Sequence, residues 1–485
     1  MKLFMFFTGA GLLLAPVLNA QSIDDAVRYS QTNSGGTALS MGMGGATGAV
    51  GGDFSSSVIN PAGLAIYQKS EFGGSMSIFN NSSASTYYGS GQDDRKYNLN
   101  IQNLHLVLYY PGVDRLKKRG WKGSTFSIGY NKTSNLSERW TYKGFNNQSS
   151  ITEAIASSAS GTDPDLLSAP DQFVAYNAYL IDPVIDSAGN YSYTTLNGPA
   201  GGGITQRGTF ESRGRVGETT ISYAANHSNK LYLGAGLSIR RVVFESDYTY
   251  SERDEADSIA SFNSLSYTIN QNDRATAIAF RGGAIYRVND MLRLGASALI
   301  PLDYTVNSDF TYAMNSDLSI GQYYSEFPGT FKYKLRLPSR FTLSAAFILG
   351  KNGIVSVDYE TVNYSKNRLI DDSGIFDNTN DVIRNRLNST GNLRIGGEAR
   401  FDDLYLRGGF QWLGNPYSDS NINQAMQLYS LGGGYRVSWF YFDLAYVYAR
   451  QLKNYYPYNP NLADVNPAEL KLNRHQVIFS IGTRF

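Results

Sequence analysis

Three histidines, His105, His227 and His475, are the residues around which metal or nucleophilic chemistry would have to be built. They lie far apart in the sequence, no pair has the spacing of metal ligands, and no His-Glu-x-x-His pattern occurs. The chain has no cysteine, which excludes thiolate chemistry and a disulfide framework. No histidine is coupled in the sequence to a serine or aspartate nucleophile. We therefore predict no enzyme activity, no catalytic residue, no cofactor and no metal site.

A second candidate for ion chemistry is an acidic stretch containing Asp371, Asp372, Asp377 and Asp381. Its spacing misses the EF-hand pattern, so a solvated loop is the favoured interpretation over a calcium site. Haem binding through one histidine also stays open. The formal net charge of +1 provides no basic field for nucleic acid, and we predict no nucleic-acid partner.

The last strand-like segment gives the strongest indication of fold, because it alternates in character up to the final residue. Val477, Phe479, Ile481, Thr483 and Phe485 share one face, with Ile478 as the exception on the other. In lipid every backbone donor and acceptor must be paired internally, so a sheet can span a membrane only as a closed barrel. We expect this strand, ending at Phe485, to seal the ring and to contact the barrel-assembly machinery.

The start of the chain predicts export. Lys2, an apolar run over 3–18 and Asn19-Ala20-Gln21 have the form of a signal peptide over 1–20, with Gln21 as the first mature residue. No later stretch supplies the roughly 20 apolar residues that a membrane-spanning helix needs. The predicted location is the outer membrane of a Gram-negative bacterium, in contact with its lipid.

The chain from Glu71 onward predicts an all-β fold, a transmembrane antiparallel β-barrel of about 14 strands over 71–485. Short polar connections at 227–229, 289–290, 351–353 and 402–403 alternate with longer ones, which we place outside the cell. The longer connections are expected at 80–98, 135–205, 251–264, 314–328, 369–388, 414–424 and 453–470. The strand candidates are 71–79, 99–110, 123–134, 206–226, 230–250, 265–287, 291–313, 329–349, 353–368, 389–401, 404–413, 425–436, 440–452 and 471–485.

Charged residues recur on the face of these strands opposite the apolar face, so we assign them to the barrel lumen. Bracing of a hydrated interior is the favoured role, and an anion pathway is the alternative. The predicted lumen charges are Arg240, Arg293, Lys332, Lys334, Arg336, Asp358, Glu360, Arg394, Glu398 and Arg407.

Residues 21–70, called the N-terminal segment below, are too poor in apolar bulk to form a core of their own. We predict that this segment is a hatch, or plug, inside the barrel. Asn60 and Pro61 suit a stiff turn, since asparagine bonds the local backbone and proline fixes one dihedral.

The N-terminal segment also carries a family resemblance. The runs Ser40-Met41-Gly42-Met43-Gly44-Gly45-Ala46, Val50-Gly51-Gly52-Asp53 and Asn60-Pro61-Ala62-Gly63-Leu64 resemble the hatch of FadL/TodX-type channels. The resemblance implies a fourteen-stranded outer-membrane barrel that admits hydrophobic molecules and releases them sideways through its wall. It makes Gly42, Gly44, Gly45, Asn60, Pro61, Ala62 and Gly63 the hatch residues. The loops diverge from the family, so substrate-contacting residues cannot be transferred.

The longest predicted connection, 135–205, contains a helix start at Asp163-Pro164 followed by apolar residues. Apolar surface outside the cell would be a liability unless it binds something, so this loop is a candidate capture site. Capping of the barrel mouth is an equally weighted alternative. The candidate capture residues are Leu166, Leu167, Phe173, Val174, Tyr176 and Tyr179.

These features predict a monomeric channel for passive uptake of hydrophobic molecules, such as long-chain fatty acids or hydrocarbons. The main alternative is a non-transporting outer-membrane receptor or adhesin, for example for haem. A water-filled porin and a barrel hydrolase are further rivals, which conductance and turnover assays would separate from the channel.

Overall fold

The computed structural model describes residues 23–31, 35–195, 203–419 and 422–485, so the predicted signal peptide lies outside the described residues. The predicted antiparallel barrel is confirmed. Eighteen strands build its wall, and since four wall positions each hold two consecutive strands, the barrel has fourteen positions. The split positions are β3 with β4, β10 with β11, β12 with β13, and β14 with β15. The strands are β1 Glu71–Tyr87, β2 Ser90–Pro111, β3 Trp121–Asn135, β4 Glu138–Asn146, β5 Ile181–Ile185, β6 Tyr191–Thr195, β7 Ile204–His227, β8 Leu231–Arg253, β9 Phe262–Arg287, β10 Leu292–Pro301, β11 Tyr304–Leu318, β12 Gly321–Arg336, β13 Arg340–Leu349, β14 Gly353–Asn363, β15 Arg368–Ile370, β16 Ser389–Phe401, β17 Leu404–Leu413, β18 Met426–Arg436, β19 Phe440–Tyr455 and β20 Ala468–Arg484.

The last strand closes the ring, as its alternating pattern predicts. β20 pairs with β19 on one side and antiparallel with β1 on the other, from Glu71 opposite Arg484 to Thr86 opposite Glu469. Ser70 and Phe485 exchange two further backbone hydrogen bonds of 3.0 Å. The side chains of Phe479, Ile481 and Phe485 are exposed on the outer face, where an apolar surface is compatible with lipid.

In the described residues, six short α-helices accompany the barrel: α1 Ile23–Ser30, α2 Ala38–Gly42, α3 Ser56–Ile59, α4 Ile151–Ala159, α5 Pro170–Asn177 and α6 Asp377–Arg386. β5 and β6 form a separate hairpin in the connection between β4 and β7. Within the described ranges, no helix is long and apolar enough to cross a membrane.

The four short connections lie where the sequence predicts them, but two predicted long loops are wrong. The expected loops at 80–98 and 314–328 are strand hairpins that turn at 88–89 and 319–320. Tyr88 and Gly89 both have positive φ, which lets the first hairpin reverse within two residues. Hydropathy misses these extensions because a strand that projects beyond the lipid needs no apolar outer face.

Candidate passage and wall opening

Glycines on the inner face of the barrel admit the backbone of the N-terminal segment. A Cβ on Gly409 of β17 would lie 2.2 Å from the nitrogen of Gly44, and one on Gly396 of β16 would lie 2.1 Å from the oxygen of Met43. Gly42 packs on Gly432 of β18 in the same way, because a Cβ on Gly42 would lie 3.3 Å from the Cα of Gly432. Gly44 and Gly45 have positive φ and reverse the chain here. The glycine pattern therefore provides close backbone packing.

The Asn-Pro-Ala-Gly motif occupies a second niche of glycines on the opposite wall. A Cβ on Gly283 of β9 would lie 2.0 Å from Asn60 Oδ1, and one on Gly234 of β8 would lie 2.3 Å from the carbonyl carbon of Pro61. Asn60 Oδ1 accepts a hydrogen bond from the Ala62 amide at 3.2 Å, and Asn60 Nδ2 donates to the Gly48 oxygen at 2.8 Å. The motif thus starts the 3-10 turn over 61–66 and joins it to the preceding loop.

Asp53 joins the start of α2 to the turn before α3 within the N-terminal segment. Its carboxylate accepts hydrogen bonds from the Thr37 hydroxyl at 2.8 and 2.9 Å and from the Ser55 amide at 2.9 Å. Thr37 in turn caps α2 by accepting from the Ser40 amide. Burial raises the pKa of Asp53 above its ordinary value, and the hydrogen bonds from Ser55 and Thr37 oppose that rise.

Paired charges form a polar belt around the lumen. Glu218 of β7 accepts from Arg281 at 2.6 Å and lies 3.5 Å from Arg240, and all three are buried. Across the lumen, Glu360 pairs with Arg340 at 2.7 Å and with Arg394 at 3.4 Å.

The belt continues on β16 to β19 and reaches the N-terminal segment. Arg407 pairs with Glu398 at 2.7 Å and with Asp443 at 2.5 Å. Asp358 accepts from the Gly48 amide at 2.9 Å, and Arg293 donates to the Val50 oxygen at 3.1 Å. The lumen charges therefore both brace the wall and hold the segment, an arrangement that favours the structural role over an anion pathway.

Three predicted lumen charges face the other way. Lys332, Lys334 and Arg336 of β12 are exposed on the outer face, whereas Tyr333 and Leu335 between them are buried inside. The alternation of inward and outward residues slips by one position at 337–339, between β12 and β13. Counting back in steps of two from the inward-facing Arg340 therefore assigns the β12 cations to the wrong face.

An apolar chamber above the belt is filled by α1. Ala26, Val27 and Tyr29 are buried there against apolar side chains of the wall, among them Val242, Phe244, Val306, Leu335, Val362 and Leu369. Tyr29 donates to Asp273, and Arg340 donates to the backbone oxygen of Ser30. The N-terminal segment therefore extends from the belt into this chamber.

The wall has a long interruption next to this segment, between β2 and β3. Their ladder runs from Pro111 opposite Gly123 to Asn103 opposite Asn131 and stops there. Beyond that point, residues 90–102 of β2 pair with β1, while β4 pairs with β7. Tyr97, Leu99 and Ile101 are exposed on the outer face of the released part of β2, which is compatible with lipid at this level. We call the interval between residues 96–102 of β2 and 132–139 of β3 and β4 the window.

Side chains replace the missing ladder at the window. At its upper edge Lys96 donates to Glu211 at 2.8 Å, and Arg139 lies 3.2 Å from Asp94 and 3.4 Å from Glu211. In its middle Asn98 donates to Asn135 at 3.4 Å. Lipid cannot hydrogen-bond an open strand edge, so other polar side chains satisfy backbone groups here. Gln102 donates to the Lys132 oxygen at 3.1 Å, and Asn81 and Ser83 of β1 donate to the oxygens of Ser137 and Arg139 at 3.3 and 2.9 Å.

Lys132 is the charged residue at the lower edge of the window, directly after the last ladder pair of β2 and β3. Its side chain is 4% exposed, and its ammonium group donates to the side-chain oxygens of Asn100 and Asn135. Within the described residues no carboxylate forms an ion pair with it. The N-terminal segment passes beside it, because a Cβ on Gly35 would lie 1.5 Å from the Lys132 oxygen. An ionisable group at membrane depth without an opposite charge is a candidate functional group.

Two small cavities lead from the α1 chamber to the window. One has a volume of about 110 Å³ and is lined by Val27, Phe210 and Phe244 among others. The other, of about 40 Å³, is lined by Met41, Phe79, Met426, Leu428, Val447 and Lys132. The two share Ser134, Asn135, Met426 and Arg474. Because pockets for drug-sized ligands measure about 300–1,000 Å³, the route is closed in this conformation.

The candidate capture residues are divided between core and surface. Leu167 and Val174 are buried in an aromatic-rich cluster at the barrel mouth. Phe173 packs on Phe327, and Tyr176 lies at the edge of the same cluster. Leu166 is exposed, and so is Tyr179 beside Tyr323. The buried members are positioned to cap the mouth, and capture by Leu166 and Tyr179 remains a prediction.

His105 and the acidic stretch make contacts that stabilise the local structure. His105 lies 3.2 Å from Glu71 and stacks on Phe54 at 4.3 Å between ring centroids. In the acidic stretch, Asp371 accepts from Ser373, and Asp377 begins α6. No three His, Asp or Glu side chains gather into a metal-binding group in the part of the chain that the structure describes.

Comparison with known proteins identifies the fold. No protein-family model matches the chain, and no curated protein matches it in sequence. Among solved structures, a FadL homologue of Pseudomonas aeruginosa matches at 14% identity over 94% of this chain and 99% of that one, with a TM-score of 0.54. The toluene transporter TodX of P. putida matches at 13% identity over 93% and 99%, with a TM-score of 0.55. The toluene transporter TbuX of Ralstonia pickettii matches at 15% identity over 93% and 98%, with a TM-score of 0.53.

These matches define the class of fold to which the chain conforms. It has the FadL/TodX-type barrel architecture that the glycine and Asn-Pro-Ala motifs predict. Sequence reasoning missed Glu218 of the polar belt and the residues of the window, among them Lys132, Lys96 and Glu211. The alternation Val216, Glu218, Thr220 could have placed Glu218 inside, but no sequence signal marks the strand edge at which Lys132 lies.

Proposed function

We propose that the protein is an outer-membrane channel for passive uptake of hydrophobic molecules, with the N-terminal segment as its hatch. The observation that carries the proposal is the window, an interruption of the wall at lipid level that adjoins a partly apolar cavity. The fold supports it, since structures with this architecture are named as FadL homologues and as transporters of toluene. We further propose that the protein acts as a monomer inserted through its C-terminal strand.

In this proposal, a hydrophobic molecule enters from the external loops and displaces α1 from the apolar chamber. Burial of apolar area contributes roughly 25 cal/mol per Å², which drives capture without an energy source. The molecule then passes the cavity at Met41 and leaves sideways through the window when the hatch moves away from Lys132. The present cavities are too small for it, so movement of the hatch is required.

We propose a substrate class from the chemistry of the window. The cavity there has apolar lining on one side and the ammonium group of Lys132 on the other. A molecule with an apolar chain and one anionic headgroup matches both, whereas a pure hydrocarbon leaves the charge without a partner. This favours long-chain fatty acids over hydrocarbons.

The direct test measures uptake of a radiolabelled long-chain fatty acid and a labelled alkane by cells with and without the gene. Higher uptake of either molecule in cells that carry the gene is the expected result. Equal uptake of both would overturn the channel proposal and favour a receptor or adhesin.

A disulfide can test whether the hatch must move. The chain has no cysteine, and the side chains of Ser57 and Asn131 meet at 3.2 Å, so Ser57→Cys with Asn131→Cys can cross-link α3 of the hatch to β3. We expect uptake to be lost on oxidation and restored by reduction. The matched control is Ser222→Cys with Gly236→Cys, which joins β7 to β8 at Cβ positions 3.4 Å apart within the wall and should leave uptake unchanged.

A further inference from the structure

The outer wall carries a group of exposed cations above the apolar band on β8 to β15. We call it the basic patch, and its members are Arg241, Arg274, Lys332, Lys334, Arg336 and Arg368. All six alternate with buried residues of their own strands, so they face away from the lumen.

Strand register brings these residues together. Asn307 of β11 lies opposite both Arg274 and Lys332. Thr305 lies opposite Lys334 on one side and Thr276 on the other, and Thr276 pairs in turn with Arg241. Arg336 lies opposite Arg368. Because neighbouring strands lie about 4.8 Å apart, the basic patch covers an area roughly 15–20 Å wide.

The basic patch has an excess of positive charge. Among the described residues, only Arg336 of the six has an ion pair, with Asp303 at 2.8 Å. The two cations at the upper edge of the window differ, since Lys96 and Arg139 both meet carboxylates. Asp309 and Glu245 lie further out along β11 and β8 and mark the far edge of the patch.

The position of the patch relative to lipid follows from the residues below it. Ile239, Ile278, Phe280 and Phe341 are exposed and apolar, and they lie on the side of the patch that leads to the short turns. Leu302 belongs to the same apolar band. In a membrane barrel such a band faces the acyl chains, so cations directly above it lie at the level of the lipid headgroups.

We propose that the basic patch binds the phosphate groups of a phosphorylated glycolipid in the outer leaflet. Arginine forks suit bidentate contact with phosphate, and lysines add point charge. The lipid's acyl chains would lie along the apolar band below. The assignment to the outer leaflet rests on the proposed function, which places the long loops outside the cell. The assignment of a phosphate ligand rests only on the residues of the basic patch.

The test measures binding of an acylated, bis-phosphorylated glucosamine disaccharide to the purified protein in neutral detergent by native mass spectrometry. We expect the triple variant Arg274→Gln, Lys332→Gln, Lys334→Gln to bind it about tenfold more weakly or worse, since each cation near an anionic lipid contributes appreciably. The control Arg115→Gln, Lys118→Gln, Arg119→Gln removes the same charge from an exposed turn at the opposite end of the barrel and should change binding less than about twofold.

Two further arms fix the ligand. The dephosphorylated glycolipid should bind the wild-type protein as weakly as the triple variant binds the phosphorylated one. Equal binding by wild-type and triple variant, equal binding of both lipids, or full displacement by millimolar inorganic phosphate would overturn the proposal. Binding does not depend on transport, so a protein that binds the lipid at the patch but gives no uptake would refute the proposed function alone.

Discussion

Two parts of the barrel wall hold their strands together in different ways. Between β7, β8 and β9 the ladders continue along nearly the whole strands, from Thr205 opposite Arg253 to His227 opposite Leu231 in the first pair. Between β2 and β3 the ladder stops at Asn103, and side chains hold the remainder. The first part satisfies its backbone groups through pairing, whereas the second relies on amides and ion pairs that can separate one by one.

The difference teaches where the molecule can open. A backbone ladder separates only at the cost of many hydrogen bonds in a medium that offers no replacement. The window is held by Asn98, Lys96 and Arg139, and their contacts are individually weak. We therefore expect the continuous wall over β7 to β9 to contribute most to stability, and the window to be the part of the wall that moves.

The largest effect is expected in the continuous wall. Glu218→Gln leaves Arg281 and Arg240 buried without their shared carboxylate, which should lower the free energy of unfolding by about 3–5 kcal/mol. Urea unfolding of the barrel in lipid vesicles, followed by tryptophan fluorescence, measures it. A loss below about 1 kcal/mol would show that the polar belt does not hold this wall.

A second prediction concerns selectivity at the window. Lys132→Met removes the buried ammonium group, so uptake of a fatty acid should fall about tenfold relative to the matched alkane, the ratio that 1.4 kcal/mol of lost contact gives. Labelled uptake of both molecules measures the ratio. Lys122→Met is the control, because Lys122 is a buried lysine of the same strand that donates to backbone oxygens away from the window. An unchanged ratio in Lys132→Met would exclude the headgroup role.

A third prediction weakens the upper edge of the window. Glu211→Gln removes the carboxylate that Lys96 and Arg139 share, and because these pairs are partly exposed it should cost only about 0–1 kcal/mol of unfolding free energy. Backbone amides of 90–102 should nevertheless exchange hydrogen faster, while those of β8 stay unchanged. Exchange measured by mass spectrometry tests this, and unchanged protection of 90–102 would contradict a window held by side chains.

The smallest effect concerns the pH dependence of the N-terminal segment, the proposed hatch. The pKa of Asp53 is raised in the folded protein, so its ionised form opposes folding, and this cost disappears as pH falls through the raised value toward the ordinary 3.8. Protection of the amides in 37–55, corrected for intrinsic exchange, should therefore increase on acidification over that interval. Asp53→Asn cannot titrate and should lose this part of the pH dependence, while Glu71 nearby remains. The same pH dependence in both proteins would assign it to other groups.

Sequence reasoning predicts the barrel well because membrane strands alternate strictly. Bounds such as 389–401 and 404–413 agree with the structure, since the apolar outer residues of these strands are set by lipid. The prediction fails where that constraint ends. The outer face of β12 projects past the lipid, so Lys332 and Lys334 are outward without any change in the pattern that would indicate it.

The candidate site is less accessible to prediction from sequence. Asn60 and the glycines of 42–45 can be singled out because their types suit tight backbone packing. The window cannot be predicted, because it depends on which strand β4 pairs with. The choice of partner does not change the alternation of apolar and polar residues in either strand. Lys132 is therefore an ordinary strand lysine in the sequence and a buried cation in the structure.

The most direct test of the account closes the window itself. Asn98→Cys with Asn135→Cys replaces two side chains that meet across it, and a short bifunctional thiol-reactive reagent such as a bis-maleimide can alkylate and bridge the two cysteines. Tyr223→Cys with Ala235→Cys, an outward pair across β7 and β8, is the control in the continuous wall. The account predicts that bridging the window abolishes uptake of labelled fatty acid and that bridging the control does not. Undiminished uptake through a fully bridged window would contradict it.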